Sequence, residues 1–166
     1  MKLLHLLSAA TAALSLCSCR CEEPLHALPL GIIGIEEPVM LEPFAEPFPA
    51  KIDTGADISS IDARRIRLVK RDGERFVIFT VRMRRTGEEH QYDLPLKREI
   101  SITRHGMKPQ IRYVVMLTVR IGKLKLTREF SLANRKNFNY QVLIGRNVIE
   151  GNAVVDPARK NTTGAL

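Results

Sequence analysis

The chain contains no tryptophan, and aromatic residues make up only 5% of its 166 residues. Its three cysteines, Cys17, Cys19 and Cys21, all lie close to the amino terminus. The rest of the chain can therefore form neither a disulfide framework nor a cysteine-based zinc site. After residue 18 no apolar run approaches the length of a membrane span, and neither an HExxH motif nor a Walker-type glycine loop occurs. We therefore expect no metal and no other cofactor.

The first residues of the chain indicate export. Lys2 precedes an apolar run from Leu3 to Leu16, which has the charge pattern and length of a signal peptide. The letters LCSC at the end of this run resemble a bacterial lipobox, and the resemblance implies that Cys19 becomes the acylated first residue. Cleavage as an ordinary secretory signal is the alternative. We predict a signal peptide over residues 1–18 and a periplasmic protein that is attached to a bacterial membrane only through a lipid anchor.

The composition of the remaining chain predicts one folded domain behind a tether. Residues 22–49 are rich in proline and glutamate, which is typical of a tether, with one strand-like run at residues 30–37. We assign residues 19–29 to the tether, residues 30–160 to the domain and residues 161–166 to a tail.

Within the domain the hydrophobic pattern predicts β-structure. Three runs alternate apolar and polar residues as half-buried antiparallel strands do, at 75–85, 112–122 and 123–132. Glycine-containing turns between or beside them predict hairpins at 71–74, 85–89 and 120–124. Residues 144–152 contain Gly145 near their start and predict a short helix. The fold class is therefore mostly β.

One short segment carries the strongest chemical signal. Residues 51–62 read KIDTGADISSID, in which Asp53 follows an apolar residue and begins an Asp-Thr-Gly turn. In an aspartic peptidase two carboxylates share one proton and activate a water molecule between them, and each carboxylate is held on a tight turn at a strand end. Thr54 would lock such a turn through its hydroxyl, and Gly55 would allow close backbone approach. Because no cation is built beside Asp53 in this interpretation, we predict that it pairs with a second carboxylate.

Two motifs resemble those of retropepsins. The segment KIDTGADISSI, including Ala56 and Asp57, resembles their active-site loop, and VLIGRNVI at 142–149 resembles their second hallmark. The resemblance implies that Arg146 pairs with Asp57 and clamps the loop. It also implies a closed, mostly β retropepsin-like acid-protease barrel with a short carboxyl-terminal helix.

A larger part of the chain resembles a bacterial retropepsin-like family often labelled ATP-dependent zinc proteases. The similarity includes LGIIGIEEPVMLEP, REISITRHGMKPQIRYVVMLTVRIG and LIGRNVIEGNAVVDPARK. Some members of that family are encoded beside an ATP-grasp ligase that attaches glutamates to proteins. We expect neither ATP dependence nor a zinc site in this protein, because the chain shows no nucleotide loop and no zinc motif.

The Asp-Thr-Gly motif occurs only once, so one chain provides half of a catalytic site. We therefore expect a homodimer in which Asp53 of each subunit meets at the two-fold axis. By position, residues 102–111 would be the flap that closes over substrate. The flap residues singled out are Arg104, His105, Gly106 and Met107.

The net charge of +8 has two interpretations. Basic residues concentrate at 64–85 and 97–128, where they could form a cationic rim that favours acidic peptides. The alternative is a set of solvated strand faces, or attraction to anionic lipid headgroups beneath the anchor. Nucleic-acid binding is not expected, because the chain has no aromatic stacking platform and no recognisable nucleic-acid module.

The leading hypothesis is an exported aspartic endopeptidase of retropepsin type. Asp53 and its symmetry mate would act as general base and general acid on a water that attacks a peptide carbonyl. A peptide-binding module that keeps the fold without catalysis is the first alternative. A metal-dependent peptidase, as the family label says, is the second and is less favoured because the metal ligands are missing. A strictly monomeric domain would have no complete pair of aspartates.

Overall fold

The structure is a computed structural model that describes residues 28–102 and 109–164. The predicted signal peptide, Cys19 and the predicted flap residues Arg104, His105, Gly106 and Met107 lie outside these ranges. The described elements are, in chain order, β1 (Gly31–Ile33), β2 (Glu36–Leu41), β3 (Phe48–Ile52), β4 (Ser59–Asp62), β5 (Arg64–Arg71), β6 (Glu74–Arg82), β7 (Glu89–Pro95), β8 (Arg98–Ile102), β9 (Gln110–Ile121), β10 (Leu124–Ala133), β11 (Val142–Ile144), α1 (Arg146–Ile149) and β12 (Ala153–Val155). In this part of the chain no helix is long and apolar enough to cross a membrane.

Six strands close a mixed β-barrel. They lie in the order β10, β4, β11, β3, β2 and β9, and the antiparallel pairing of β9 with β10 closes the ring. The last residues of β9 pair with β2, whereas its first residues pair with β8. The antiparallel pair of β8 and β9 therefore extends the barrel on one side. The predicted closed, mostly β retropepsin-like barrel with a short helix is confirmed.

The pairing of β11 with both β3 and β4 positions the segment that carries the Asp-Thr-Gly motif. β11 lies between β3 and β4, parallel to the first and antiparallel to the second. The turn that connects β3 to β4 therefore passes the end of β11, where α1 begins. Residues that are about 90 positions apart in the sequence meet at this point.

A second sheet of three strands, in the order β5, β6 and β7, packs against the barrel. All three predicted hairpins are present, between β5 and β6, between β6 and β7, and between β9 and β10. The core contains few large rings, but Phe48, Phe79 and Phe130 are among its largest fully buried side chains. The shortage of aromatic residues is therefore offset by buried valine, leucine and isoleucine, which suit strands that pack on both faces.

The proline-rich stretch departs from its predicted character as a tether. It contains β1, β2 and the first two residues of β3, and Pro38 lies directly opposite Pro49 in the β2–β3 ladder. The two missing N–H groups therefore fall at one position, and the rest of the ladder can form.

The carboxyl-terminal segment is bound to the start of the barrel. β12 pairs in parallel with β1. Thr162 and Thr163, which lie in the predicted tail, bond to Glu37 on β2. Glu37 is fully buried and its carboxylate accepts hydrogen bonds from the N–H and hydroxyl groups of both Thr162 and Thr163. Gly34 approaches this segment so closely that a Cβ atom would lie 2.3 Å from the carbonyl oxygen of Arg159.

Candidate active site

Asp53 lies at the end of β3, on the turn that leads to β4. Its backbone N–H donates to the carbonyl oxygen of Ile144 at 2.9 Å, which continues the β3–β11 pairing into the turn. Its carboxylate oxygen Oδ1 accepts the N–H of Gly55 at 3.1 Å, and the N–H of Ala56 donates to the Asp53 carbonyl at 3.2 Å. The side chain of Asp53 is 29% exposed. The turn therefore presents a partly exposed carboxylate, one oxygen of which is held by the backbone of the turn.

The Gly-Arg-Asn motif holds this turn from the opposite side. A Cβ atom on Gly145 would lie 2.7 Å from the carbonyl carbon of Ile58 and 2.8 Å from the carbonyl oxygen of Ala56, so only glycine fits there. The side-chain oxygen of Asn147 accepts the N–H of Ser59 at 3.0 Å and its hydroxyl at 2.9 Å. The second motif is thus a structural support for the first.

Arg146 and Asp57 are brought together, which is the contact that the family resemblance implies. Nη2 of Arg146 donates a hydrogen bond to the Asp57 carboxylate, and Nη1 donates to the carbonyl oxygen of Thr54 at 3.2 Å. The N–H of Arg146 donates to the carbonyl oxygen of Ala56 at 2.8 Å. One residue at the start of α1 therefore contacts three residues of the turn. Its role as a clamp remains a prediction.

A cation lies beside Asp53, which corrects the expectation that none is placed there. Nζ of Lys51 is 3.8 Å from Oδ2 of Asp53. Residues two apart on a strand point to the same side, so the spacing of Lys51 and Asp53 in the sequence already predicts that their side chains are neighbours. Both side chains are partly exposed, and such a pair contributes little to stability because water screens it. The cation nevertheless places a positive charge beside the carboxylate.

Two adjoining cavities flank the turn. One, of about 440 Å³, is lined by Asp53 and Lys51 together with residues of the segment before β11. The other, of about 420 Å³, is lined by Ala56 and Asp57 together with residues of β8 and β9. Arg135 and Leu143 line both, so they form the wall that the two cavities share.

Arg135 is a feature of the site that the sequence pattern does not indicate. It is 7% exposed, and its guanidinium donates to the carbonyl oxygen of Tyr140 at 3.0 Å and to the hydroxyl of Ser60 at 2.9 Å. It forms no ion pair with any carboxylate in residues 28–102 or 109–164. Burial and the nearby cation of Arg112 lower the pKa of Arg135, against the attraction of Asp62. A single arginine in the polar run NRKNFN gives no sequence signal for burial, because its partner Ser60 is 75 residues away.

Two more arginines line the cavity beside Asp57. Arg98 on β8 and Arg112 on β9 face the same space as Arg135. The guanidinium of Arg98 donates twice to one carboxylate oxygen of Glu129, which neutralises part of its charge. This wall is therefore cationic. Within the described residues no group of three or more His, Cys, Asp or Glu side chains is placed to hold a metal ion.

Comparison with known proteins adds three relationships. Residues 32–165 match the RimB-like family model, described as the retropepsin-like aspartic endopeptidase RimB. A protein named probable alpha-L-glutamate ligase from Desulfotalea psychrophila is 31% identical over 140 residues, which cover 81% of this chain and 30% of that protein. One with the same name from Shewanella pealeana is 30% identical over 140 residues, which cover 80% of this chain and 30% of that protein. The chain thus spans less than a third of the length of these curated relatives.

A solved structure has the same fold. The crystal structure of a protein of unknown function from Legionella pneumophila, described as DUF785, superposes with a TM-score of 0.69 at 32% sequence identity. The superposition covers 80% of this chain and 98% of the other. The family match includes both the turn at Asp53 and the helix that begins at Arg146, and the chain therefore belongs to the RimB-like family of retropepsin-like proteins.

Proposed function

We propose that this protein is an aspartic endopeptidase whose catalytic site is completed by a second copy of the chain. The observation that carries the proposal is the position of Asp53, on a hydrogen-bonded turn that lines an open cavity. The ionised member of the Asp53 pair takes a proton from a water molecule, whose oxygen attacks the peptide carbonyl carbon. The protonated member donates to the carbonyl oxygen. Collapse of the tetrahedral intermediate then transfers a proton to the amide nitrogen and releases the amine.

The dimer is supported by an apolar surface as well as by the half-site. β1 and β12 form a ribbon of only two strands among the described elements, and Ile32 lies opposite Val154 in it. Ile32 is 39% exposed, Val154 is 40% exposed and neighbouring Ile35 is 37% exposed. A ribbon with open edges and exposed aliphatic side chains is suited to pairing with another strand. A two-fold contact at this ribbon is the dimer interface that we propose.

The proposed substrate is an acidic peptide, bound by the cationic wall of the two cavities. A buried guanidinium without a carboxylate partner is costly, and a carboxylate supplied by the substrate would compensate the charge of Arg135. The names of the curated relatives support a glutamate-rich peptide. A domain that occurs together with a glutamate ligase is well placed to act on the peptide that such an enzyme produces.

The proposed location is the periplasm, with the domain tethered through acylated Cys19. The observation behind this proposal is the apolar amino-terminal run followed by LCSC. The test is incorporation of labelled palmitate by cells that express the protein. Loss of label in Cys19→Ala and its retention in Cys17→Ala are expected, and equal labelling of both variants would contradict the assignment.

The test of activity is cleavage of a peptide library that contains oligoglutamate, mixed acidic and neutral sequences, between pH 4 and 8. The purified protein is compared with Asp53→Asn and with Asp72→Asn, a matched control on the exposed β5–β6 turn. We expect cleavage that survives a chelator, is lost in Asp53→Asn and is kept in Asp72→Asn. Activity that is lost to the chelator and kept in Asp53→Asn would refute the aspartic mechanism and favour the metal-dependent alternative. Binding of acidic peptides by a dimer without cleavage would favour the binding module.

A further inference from the structure

The segment between β10 and β11, residues 134–141, forms one side of the cavity that contains Asp53. We call it the 134–141 loop. The loop residues that line this cavity are Arg135, Asn137, Phe138, Asn139 and Tyr140. Phe138 is 49% exposed, and its ring lies over the guanidinium of Arg135 at 4.8 Å. The shape of this loop therefore sets the shape of the cavity beside the catalytic carboxylate.

A side chain from a different part of the fold holds the loop. Arg84 lies in the turn between β6 and β7, and its Nη1 donates to the carbonyl oxygen of Phe138 at 2.7 Å. Its Nη2 donates to the carbonyl oxygen of Arg135 at 2.5 Å and to the carboxylate of Asp62 at 3.1 Å. One planar guanidinium thus ties two carbonyl groups of the loop to a buried carboxylate of β4. A lysine could not make all of these contacts, because its single nitrogen has no fork.

The side chains of Asp62 and Gln141 make further bonds that hold the 134–141 loop in place. The Asp62 carboxylate, which is 1% exposed, accepts the backbone N–H of Arg135 at 2.8 Å. The side-chain oxygen of Gln141 accepts the backbone N–H of Arg84 at 2.8 Å, and its side-chain nitrogen donates to the carbonyl oxygen of Arg82 at 2.7 Å. The β6–β7 turn and the 134–141 loop are therefore linked through backbone groups of both.

We propose that Arg84 is a positioning residue that keeps the 134–141 loop in the shape that binds substrate. This inference depends on the proposed function only in taking the Asp53 cavity as the substrate site. An irregular loop can adopt several conformations, and ordering it when substrate binds costs free energy. A loop that is already held in the binding conformation avoids this cost. Arg84 does not line the cavity at Asp53 but bonds to the backbone of two residues that do, Arg135 and Phe138, so it acts through the loop.

The consequence is a change in KM with little change in kcat. If removal of the Arg84 side chain leaves the loop in its binding shape for about one tenth of the time, KM rises about tenfold, because apparent affinity scales with that population. Bound substrate restores the same loop shape, so kcat stays within about twofold of the wild-type value.

The experiment compares Arg84→Met with Arg85→Met. Arg85 is the adjacent residue, is 61% exposed and pairs with Glu46 at the surface, so it controls for loss of one positive charge in the same turn. Amide hydrogen exchange is measured without substrate, and KM and kcat are then measured with the best peptide from the library. We expect faster exchange in residues 134–141 and a raised KM in Arg84→Met alone. Unchanged exchange in the loop, or equal effects of the two variants, would overturn the proposal.

Two further measurements test the proposal if Arg84→Met does not fold or if the wild-type protein is inactive. If Arg84→Met does not fold, Arg84→Lys replaces it, because lysine keeps a charge beside Asp62 but loses at least one of the two carbonyl contacts. Raised loop exchange in that variant supports the proposal, and wild-type exchange contradicts it. If the wild-type protein cleaves no peptide, the proposed function fails, but loop exchange in the free protein still decides whether Arg84 positions the loop.

Discussion

Replacing Glu37 with glutamine should loosen the carboxyl-terminal segment from the barrel. The Glu37 carboxylate is fully buried, and both of its oxygens are used. One accepts the N–H of Gly34 at 2.7 Å and the N–H and hydroxyl of Thr162 at 3.0 and 2.7 Å. The other accepts the N–H and hydroxyl of Thr163 at 3.0 and 2.9 Å. Glutamine keeps the shape of the side chain but can accept at only one of the two positions.

The expected cost follows from the donors that lose an acceptor. With the amide nitrogen placed toward Thr163, the N–H of that residue faces another donor, although its hydroxyl can rotate and accept instead. Hydrogen bonds to a charged group contribute about 1.5–3 kcal/mol each, and the remaining bonds also weaken when the charge is removed. We therefore expect Glu37→Gln to lower the free energy of unfolding by roughly 2–4 kcal/mol. For a domain of this size, that change lowers the melting temperature by roughly 4–16 °C.

The pH dependence provides a second measurement. Burial alone would raise the pKa of Glu37, but the hydrogen bonds from Thr163, Gly34 and Thr162 outweigh it and hold the pKa below its usual value of 4.5. A lowered native pKa means that the contribution to stability is complete above pH 4.5 and is lost as the pH falls through the native value. The free-energy difference between the wild type and Glu37→Gln should therefore be constant at pH 5–8 and shrink below pH 4.5.

Urea unfolding of the wild type and Glu37→Gln at a series of pH values between 3 and 8 measures both effects. Glu74→Gln is the matched control, because it makes the same chemical change at an exposed position at the start of β6. Hydrogen exchange at residues 161–163 should increase in Glu37→Gln and remain unchanged in the control. A stability difference below about 0.5 kcal/mol, typical of surface substitutions, would refute the assigned role of the carboxylate. A difference that persists undiminished at pH 3 would refute the argument from its ionisation.

Two other predictions concern the turn at Asp53. Gly145→Ala should destabilise the protein by about 1–3 kcal/mol, because the new methyl group meets backbone atoms that must shift. Thermal unfolding measures this, and a melting temperature within one degree of the wild type would contradict it. Asp57→Asn should change stability by less than about 1 kcal/mol, since Asp57 is 80% exposed and Arg146 is 42% exposed. A larger loss in chemical unfolding would show that the pair is a stabilising clamp rather than a local orienting contact.

The hairpins and the turn at Asp53 could be predicted from the sequence because their signals are local. Alternation of apolar and charged residues marks β6, β9 and β10, and Asp72-Gly73 and Gly122 mark two of the turns. The left-handed conformation of Gly73 and Gly122 is the physical reason that glycine is found there. The short helix after Gly145 was also predicted, although its four residues give no periodicity and only the motif indicated it.

The buried polar residues could not be predicted, because their partners are distant in the sequence. Glu37 lies between Glu36 and Pro38, and the sequence alone predicts an exposed strand position, yet the threonines that bind it come 125 and 126 residues later. Arg135 reads as part of a solvated loop, and Asp62 as one acidic residue among several. Only the closed barrel brings Asp62, Arg84 and Arg135 together, and nothing in the local pattern of any one of them indicates the other two.

The support of the turn at Asp53 and the support of the cavity beside it are separate parts of the structure. Asp53 is fixed by Ile144 and Gly55, contacts that β11 and the turn itself provide. The 134–141 loop precedes β11 but is fixed by Arg84, which contributes nothing to those contacts. Because β11 is paired on both sides, a displaced loop need not displace the strand that follows it. A substitution at Arg84 should therefore change how well a peptide binds while leaving the carboxylate in place, whereas a substitution at Gly145 should do the reverse.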